Sequence, residues 1–412
     1  MKATVFAYIQ LAPEQAINWT MRRICLVFLF ILCACTGSSE AGVPTLLVIG
    51  YGGENARLAL VEDTFFSREP GAGRSFELLA TLDVPGRIAA HDVVDRDNLR
   101  TSLALLSLGT SNQLTLGYYG LRDIGLGEDL DFGLNDTDNI PLELTDLENG
   151  PVAAELDASA LAGGLRLEVS ELGRFAALLV PAEFRATLYV IDVEEAEVVS
   201  VLEEVEPEAL FLDQNTARLY FLNEEAAGQE LQYLDVNSSL DLDDDPIRTN
   251  VVLPDRSERA RDLKRLGSVL VALQEDQYTP ITLGTPLEAL GSQDTIDNAQ
   301  SIIALNEAQD LPLILRGQGD VAVHRSLTEP PDDRSASFLD ASAEPGGGFV
   351  YFLQTGQRPV VIFSLLDYQR STETDLDSSS FASFAVTEDG AEVTLDAPTF
   401  TEWTKAVPTA SP

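Results

Sequence analysis

The runs Phe175–Val180 (FAALLV) and Leu188–Val193 (LYVIDV) are short, apolar and separated by a more polar turn. The same arrangement returns 43 residues later as Arg218–Asn223 (RLYFLN) and Leu231–Val236 (LQYLDV). Short runs rich in β-branched, aromatic and aliphatic residues, bounded by turn-forming residues, indicate β-strands rather than helices. Because both pairs keep the same internal spacing, we predict a strand pair that belongs to a repeat architecture.

Further copies of the strand pair follow a similar spacing. In the copy at Ser268–Leu273, Leu270 lies 51 residues beyond Leu219 of the second copy, which is eight more than the first interval. The acidic segment Ser238–Asp245 lies between these two copies and is eight residues long, so we interpret it as a loop insertion. A later copy, Phe349–Leu353 with Val360–Asp367, lies 80 residues further on, which is about two repeat lengths. An earlier, looser copy is Ser102–Leu108 with Gln113–Gly117.

A period of 40–50 residues with about four short strands in each unit is typical of β-propellers. We therefore predict an all-β propeller over residues 44–408, with seven blades and with eight as the alternative. A hairpin of Thr45–Tyr51 and Ala56–Glu62 is expected to begin the domain. The last strand candidate, Ala391–Leu395, is expected to share a blade with the first strands near Leu46, which would close the ring and protect its edge.

One segment, Pro207–Asn223, is similar to the repeats of YVTN-type seven-bladed propellers. In that family a Pro precedes one strand, a polar turn follows, and a Leu-Tyr-Val-type strand comes next. The similarity covers residues 173–236 well and the rest of the chain by its spacing alone. The family's Asp-Gly turn is replaced here by Asn215-Thr216, and its namesake tetrapeptide is absent. This resemblance implies a fold and does not imply a function.

The N-terminal region resembles that of a bacterial lipoprotein. Arg22 and Arg23 precede an apolar run, Ile24–Leu32, which is too short to span a bilayer but suits a signal peptide. The run ends in Leu32-Cys33-Ala34-Cys35, which resembles the lipobox, where the last Cys is lipidated and the residues before it are removed. An ordinary secretory signal with an incidental Cys is the alternative.

This resemblance implies a division of the N-terminal region into three parts. Residues 1–34 would be a signal peptide, Cys35 the lipidated residue, and residues 35–43 a small, polar, flexible tether. Residues 1–20 contain Pro13 and Glu14 and fit an upstream start codon chosen wrongly, with a long basic n-region as the alternative.

The same resemblance implies a location. In lipoproteins of two-membrane bacteria, an Asp after the lipidated Cys commonly retains the protein at the inner membrane, and this chain has Thr36 there. We therefore expect a lipid anchor in the outer membrane of a bacterial cell envelope. The only Cys residues are Cys25, Cys33 and Cys35, so the propeller is expected to fold without disulfides.

The chain is strongly acidic. It has 67 Asp and Glu residues against 26 Lys and Arg, for a net charge of −41. Such a field repels DNA, RNA and anionic lipid head groups, so nucleic acid is excluded as a partner. Hydrophobic residues make up 45% of the chain, which is enough for a folded core. The acidity indicates either solubility in an exposed compartment, or attraction to cations or to a basic partner.

Few residues stand out as candidates for chemistry, and we assign no catalytic residue. His91, in Ala90-His91-Asp92, is a candidate for the wall of the central channel, where enzymatic propellers place catalytic groups; a structural His is the alternative. Oxygen-rich acidic loops are candidates for calcium, against the alternative of solvated surface loops with no cofactor. The candidate ligands are Asp136, Asp138, Asp241, Asp243 and Asp245.

The function expected from these features is that of a non-enzymatic, membrane-anchored propeller, monomeric, that binds or scaffolds other envelope proteins. The alternative is an envelope enzyme of lactonase or hydrolase type with a divalent cation in the channel. Carboxylates converging with His91 at the channel mouth would favour the enzyme. A smooth channel with an apolar patch on one face would favour the scaffold.

Overall fold

The computed structural model describes most of the chain after its N-terminal region, with gaps. Within the described ranges no helix is long and apolar enough to cross a membrane. The described residues are 45–65, 73–94, 102–122, 131–134, 141–153, 156, 164–170, 173–182, 185–225, 228–237, 239–242, 244–253, 260–303, 313–324, 331–344, 348–365, 368, 376 and 381–405.

These residues form a seven-bladed β-propeller, and each blade has four strands that pair in antiparallel order from the centre outward. One long strand, β12 (Glu197–Asp213), belongs to two blades. Its first half is the outermost strand of blade 3, where it pairs with β11 (Ala186–Asp192), and its second half is the innermost strand of blade 4, where it pairs with β13 (Arg218–Glu225). The innermost strands of blades 1 to 7 are β31 (Phe400–Lys405), β4 (Arg87–Val94), β9 (Arg166–Val169), the second half of β12 (Glu197–Asp213), β16 (Asp262–Leu266), β21 (Ala299–Ile303) and β25 (Asp340–Ala343).

The second and third strands form the hairpin at the middle of each blade. In the order of the blades, the second strands are β1 (Thr45–Tyr51), β5 (Ser102–Leu108), β10 (Phe175–Pro181), β13 (Arg218–Glu225), β17 (Val269–Leu273), β22 (Leu313–Gly317) and β26 (Phe349–Leu353). The third strands are β2 (Arg57–Asp63), β6 (Leu114–Arg122), β11 (Ala186–Asp192), β14 (Gly228–Asp235), β18 (Gln277–Thr282), β23 (Asp320–His324) and β27 (Val360–Ser364).

The outermost strands are shorter and more variable. They are β3 (Phe76–Asp83), β7 (Asp131–Leu134), the first half of β12, β15 (Ile247–Leu253), β19 (Glu288–Ala289), β24 (Asp332–Ser335) and β28 (Phe381–Phe384). Additional short elements are β8 (Leu142–Glu143) beside β6, β20 (Gln293–Asp294) beside β18, β29 (Val386–Glu388) and β30 (Ala391–Val393) beyond β3, and a 3-10 helix, Leu144–Asp146.

The hydrophobic core is divided among the contacts between neighbouring blades, with a separate cluster of buried side chains at each of the seven contacts in the described chain. In β1, Leu46 and Val48 pack towards blade 2, while Leu47 and Ile49 pack towards blade 7. A strand buried on both faces needs apolar residues at successive positions, which explains the uninterrupted apolar runs in the sequence.

The 43-residue repeat is confirmed by the strand registers. Phe175 pairs with Asp192 across β10 and β11, and Arg218 pairs with Asp235 across β13 and β14. These are the second and third strands of blades 3 and 4. The other copies recognised in the sequence also coincide with second strands, namely β5, β17 and β26. The interval of about two repeats before Phe349 is filled by blade 6.

The ring is closed by a strand other than the one expected. Ala391–Val393 does belong to the sheet that contains Leu46, but it lies at the outer edge, beyond β3. The strand that pairs with β1 is β31, whose Phe400 and Trp403 are buried. The physical reason is burial, because a strand at the centre of blade 1 must supply apolar side chains, whereas Ala391 and Glu392 are exposed.

Candidate functional site

A cavity of about 260 Å³ lies at the centre of the ring, and residues from the innermost strands of all seven blades line it. One side of each innermost strand faces this space instead of a neighbouring blade, so polar side chains are tolerated there. The polar residues lining the cavity are His91, Asp92, Arg166, Glu168, Asp262, Lys264, Ser301, Asp340 and Glu402.

Most of the carboxylates in this wall join one blade to the next. A side-chain oxygen on one innermost strand accepts a hydrogen bond from a backbone N–H on the innermost strand of the following blade. Because this satisfies a backbone donor and a carboxylate together, it stabilises the wall. The pairs are Asp92 with Val169 at 2.6 Å, Glu168 with Leu212 at 3.2 Å, Asp262 with Ile302 at 2.7 Å and Asp340 with Thr401 at 3.0 Å.

His91 lines the cavity from β4, and its Nε2 lies 3.0 Å from Oε1 of Glu402, a residue 311 positions away in the chain. Its ring stacks on Phe400 with centroids 3.9 Å apart. Gly50 leaves room for this arrangement, because a Cβ there would lie 2.2 Å from the Phe400 ring. The close approach of β1 to β31 therefore helps to place His91.

The hydrogen bonds of His91 do not form a serine-hydrolase triad. The Ser342 hydroxyl donates to Oε2 of Glu402 at 3.0 Å and accepts a hydrogen bond from the Trp403 amide at 2.8 Å. Glu402 therefore lies between the Ser and the His, whereas a triad needs the His between the nucleophile and the acid. His91 is positioned to hold a proton next to Glu402 and not to activate Ser342.

Charges around His91 raise its affinity for a proton. Burial lowers the pKa of His91, but Glu402, Asp340 and Asp92 outweigh that effect, and the net shift is upward. Burial also raises the pKa of Asp340, with Glu402 adding to the rise, while His91, the Thr401 amide and Arg316 oppose it. His91 and Asp340, on neighbouring parts of the cavity wall, thus both retain a proton more readily than usual.

A second group of charges lies on β4, β9 and β16. Lys264 Nζ is 3.2 Å from Oε1 of Glu168. Burial raises the pKa of Asp92 to about 8, and Glu168 adds to this rise, while Lys264 and the amides of Val169 and Val93 oppose it. Glu168 raises the pKa of Lys264, against the effect of burial. Lys264 therefore stays protonated, and Asp92 is largely neutral near pH 7.

The acidic loop recognised in the sequence lies in the connection between β14 and β15. Its Asp241, Asp244 and Asp245 are exposed, and the Asp241 amide donates a hydrogen bond to Asp244 Oδ2 at 2.9 Å. Three other proposed calcium ligands, Asp136, Asp138 and Asp243, lie outside the described residues. Within the described ranges no group of three or more acidic, His or Cys side chains is arranged to hold a metal ion. Calcium binding stays a prediction.

Exposed apolar side chains lie on and next to the outer strands of blades 4 and 5, which contact each other through β15 and β19. Four of the seven exposed large apolar side chains in the described chain are found there. We call these four the rim patch. Asp241, Asp244 and Glu288 nearby in the chain are also exposed. The residues of the rim patch are Leu242, Ile247, Val252 and Leu290.

Reasoning from the sequence named His91 but missed most of the residues that line the cavity with it. Arg166, Lys264, Asp340 and Glu402 come from four different blades. With 67 acidic residues in the chain, no carboxylate is distinctive by its local sequence. The signal that was available is the interruption of the apolar pattern by charge in the short strands that precede each apolar hairpin.

No family model matches the chain, and no curated protein matches it. Among solved structures, it is similar to a functionally unknown protein from Desulfotomaculum acetoxidans, with 8% identity over 82% of this chain and 98% of that one, and a TM-score of 0.49. It is similar to apo AztD from Citrobacter koseri, with 8% identity, coverage of 89% and 99%, and a TM-score of 0.45.

A third similar structure is Chaetomium thermophilum Sqt1 bound to the N-terminus of the ribosomal protein L10. Its identity is 13%, its coverage 74% of this chain and 78% of that one, and its TM-score 0.48. Similarity at this level does not transfer a ligand or an activity, because propellers support many unrelated functions. By its own strand order and registers the chain is a seven-bladed β-propeller, and its function has to be argued from its own residues.

Proposed function

We propose that this chain is a lipid-anchored protein of the bacterial envelope whose propeller binds another envelope protein through the rim patch. The observation that carries the proposal is the concentration of exposed apolar side chains on and next to the outer strands of blades 4 and 5. Exposed apolar regions with polar surroundings are typical of protein-binding surfaces. Leu290, at 56% exposure, is the most exposed of the large apolar side chains in the described chain.

The chemistry of the surface indicates the partner. On the side away from β14, no strand pairs with β15 in the described chain, so its backbone can accept an added strand. Asp241, Asp244 and Glu288 are exposed near this edge in the chain, Arg248 on the strand itself is paired with Glu230, and the whole chain carries −41. We therefore propose an extended segment that carries both apolar and basic residues.

The alternative, a hydrolase with a divalent cation in the channel, has one observation in its favour, since His91 and several carboxylates do line a common cavity. In both Asp92 and Asp262, however, each of the two carboxyl oxygens accepts a hydrogen bond from one backbone amide. Carboxylates used in this way stabilise the channel wall. This use favours binding over catalysis.

Photo-crosslinking in the native host tests the rim patch. A crosslinking residue in place of Ile247 should give one discrete adduct, which becomes weaker when Val252→Asp is added. Val152 is also an exposed apolar residue and lies outside the rim patch, so it provides the matched control position. Adducts of equal yield at both positions, or an adduct unaffected by Val252→Asp, would contradict the proposal.

The proposed anchor rests on Cys35, which lies outside the described residues. Cys35→Ser should abolish lipidation and release the domain from the membrane fraction, because the acyl chains that hold it there would be missing. Mass spectrometry of the mature N-terminus measures this directly. An unmodified mature chain that begins at another residue would refute the anchor.

A further inference from the structure

Arg166 brings an unusual donor to the central cavity. Its guanidinium carries five N–H donors. Within the described part of the chain its one hydrogen bond runs from Nη2 to the Arg261 carbonyl, at a long 3.4 Å. Of the other basic side chains in the wall, Lys264 is paired with Glu168 and His91 with Glu402. The side chain of Arg166 therefore has most of its hydrogen-bonding capacity available to a molecule in the cavity.

Asp340 supplies an acceptor in the same cavity. Its Oδ2 accepts the Thr401 amide at 3.0 Å, and this is its one hydrogen bond within the described residues. Arg166 and Asp340 both line this cavity, from the innermost strands of blades 3 and 7. The cavity thus offers a guanidinium donor and a carboxyl acceptor, each with hydrogen-bonding capacity that the described part of the protein does not use.

The volume of the cavity and its other lining residues limit which molecules can bind to Arg166 and Asp340. A volume of about 260 Å³ accommodates a small organic molecule. Leu165, Leu167, Leu210 and Ile303 contribute apolar surface to the wall. The net charge of −41 opposes the entry of a free anion but does not oppose a molecule of zero net charge.

We propose that the central cavity binds a small zwitterion, such as a neutral α-amino acid, with Arg166 holding its carboxylate and Asp340 holding its ammonium. The planar guanidinium matches a carboxylate with two parallel hydrogen bonds. The apolar wall accommodates an aliphatic side chain. This site is separate from the rim patch, so the failure of either proposal leaves the other unaffected.

Calorimetric titration with three related probes tests the proposal. These are L-leucine, 4-methylpentanoate, which lacks the ammonium, and 3-methylbutylamine, which lacks the carboxylate. L-leucine should bind with a Kd below about 1 mM, and each truncated probe should bind at least tenfold more weakly, because one charged group of the site is then left without a partner. Absence of leucine binding, or 4-methylpentanoate binding as tightly as leucine, would overturn the proposal.

Two variants assign the groups. Arg166→Gln should weaken leucine binding at least tenfold and leave 3-methylbutylamine unchanged. Asp340→Asn should weaken leucine but not 4-methylpentanoate, and its amide oxygen can still accept the Thr401 N–H. Arg57→Gln is the control, because it removes an exposed guanidinium paired with Asp83, outside the cavity lining. Loss of leucine binding in this control, or full binding in Arg166→Gln, would refute the assignment; circular dichroism checks that each variant is folded.

Discussion

Asp92 lies where blades 2 and 3 meet, and its two oxygens accept amide hydrogen bonds from Val93 at 2.7 Å and Val169 at 2.6 Å. The carboxyl group therefore lines the cavity and joins two blades at once. Its pKa of about 8 reflects burial first and the nearby Glu168 second. A residue in this position links the stability of the ring to pH.

We expect Asp92→Asn to change the pH dependence of stability. Between pH 3.8 and about 8, folded Asp92 keeps a proton that the unfolded chain releases, so the wild type loses stability as pH rises through this window. Asn does not titrate. Its NH₂ group, however, cannot accept a hydrogen bond where a carboxyl oxygen of Asp92 does, which lowers the free energy of unfolding by about 1 kcal/mol at every pH. The melting temperature of the variant should be lower than that of the wild type at pH 4, with the difference shrinking or reversing by pH 9.

The control is Asp262→Asn, measured at pH 5, which gives the cost of losing one amide acceptor at the matching contact between blades 5 and 6. A difference between wild type and Asp92→Asn that stays constant from pH 4 to pH 9 would show that Asp92 titrates in its ordinary range.

At the scale of single elements, the connection between β14 and β15 is the clearest departure from the repeat. Its length accounts for the longer interval between the copies at Arg218 and Ser268. Most of its described residues are exposed, but Leu240 packs on the core between blades 3 and 4. Val236, at the start of the connection, is buried in the same core, whereas within the described part of Ser238–Asp245 Leu240 is the residue that packs on it.

We expect deletion of Ser238–Asp245 to leave the propeller folded. The hairpin of β14 and β15 keeps its register, and closing a shorter loop costs less conformational entropy. Loss of the half-buried Leu240 should reduce the free energy of unfolding by roughly 1 kcal/mol. Denaturant unfolding followed by circular dichroism measures this change, and a deletion that does not fold would show that the segment is not an insertion.

The same loop tests calcium binding. If its carboxylates bind calcium, added calcium should raise the melting temperature of the intact protein and not that of the deletion. A variant with Asn at positions 241, 243, 244 and 245 keeps the length of the loop and removes its carboxylates. It therefore distinguishes the effect of the charges on the melting temperature from the effect of the loop length. Equal responses of all three proteins to calcium would place any bound ion elsewhere.

For the whole molecule, β31 determines whether the ring is closed. It supplies the innermost strand of blade 1, pairs with β1 from Gly50 to Thr45, and buries Phe400 and Trp403. It also carries Glu402 into the cavity. Closure and the central site therefore depend on the same short strand.

We expect a chain that ends at Thr399 to aggregate or to lose its cooperative thermal transition, because β1 becomes an exposed edge and two large buried aromatic residues are lost. Scanning calorimetry and light scattering measure both effects. A chain that ends at Lys405 is the matched control and should melt within a few degrees of the full chain. A cooperative, soluble protein lacking Phe400–Lys405 would show that another segment closes the ring.

The sequence alone was enough to predict most of the strand hairpins, the repeat and a propeller of seven or eight blades, although it did not reveal the blade 6 hairpin of β22 and β23. A second or third strand such as β10 or β13 is covered by a blade on each face, so its apolar residues are continuous and can be recognised locally. The sequence did not identify the innermost strands. Strands such as β9 and β25 are short and mix charged with apolar residues, because one side faces the cavity.

Only the tertiary structure decided which charged residues meet. His91 and Glu402 are 311 residues apart, and the closing strand alone brings them within 3.0 Å. Arg166 and Asp340 line one cavity because each begins the innermost strand of its blade. The local sequence determines which faces of a strand are buried. Which charged side chains meet in the cavity depends on the order and closure of the seven blades, and this cannot be read from any local sequence pattern.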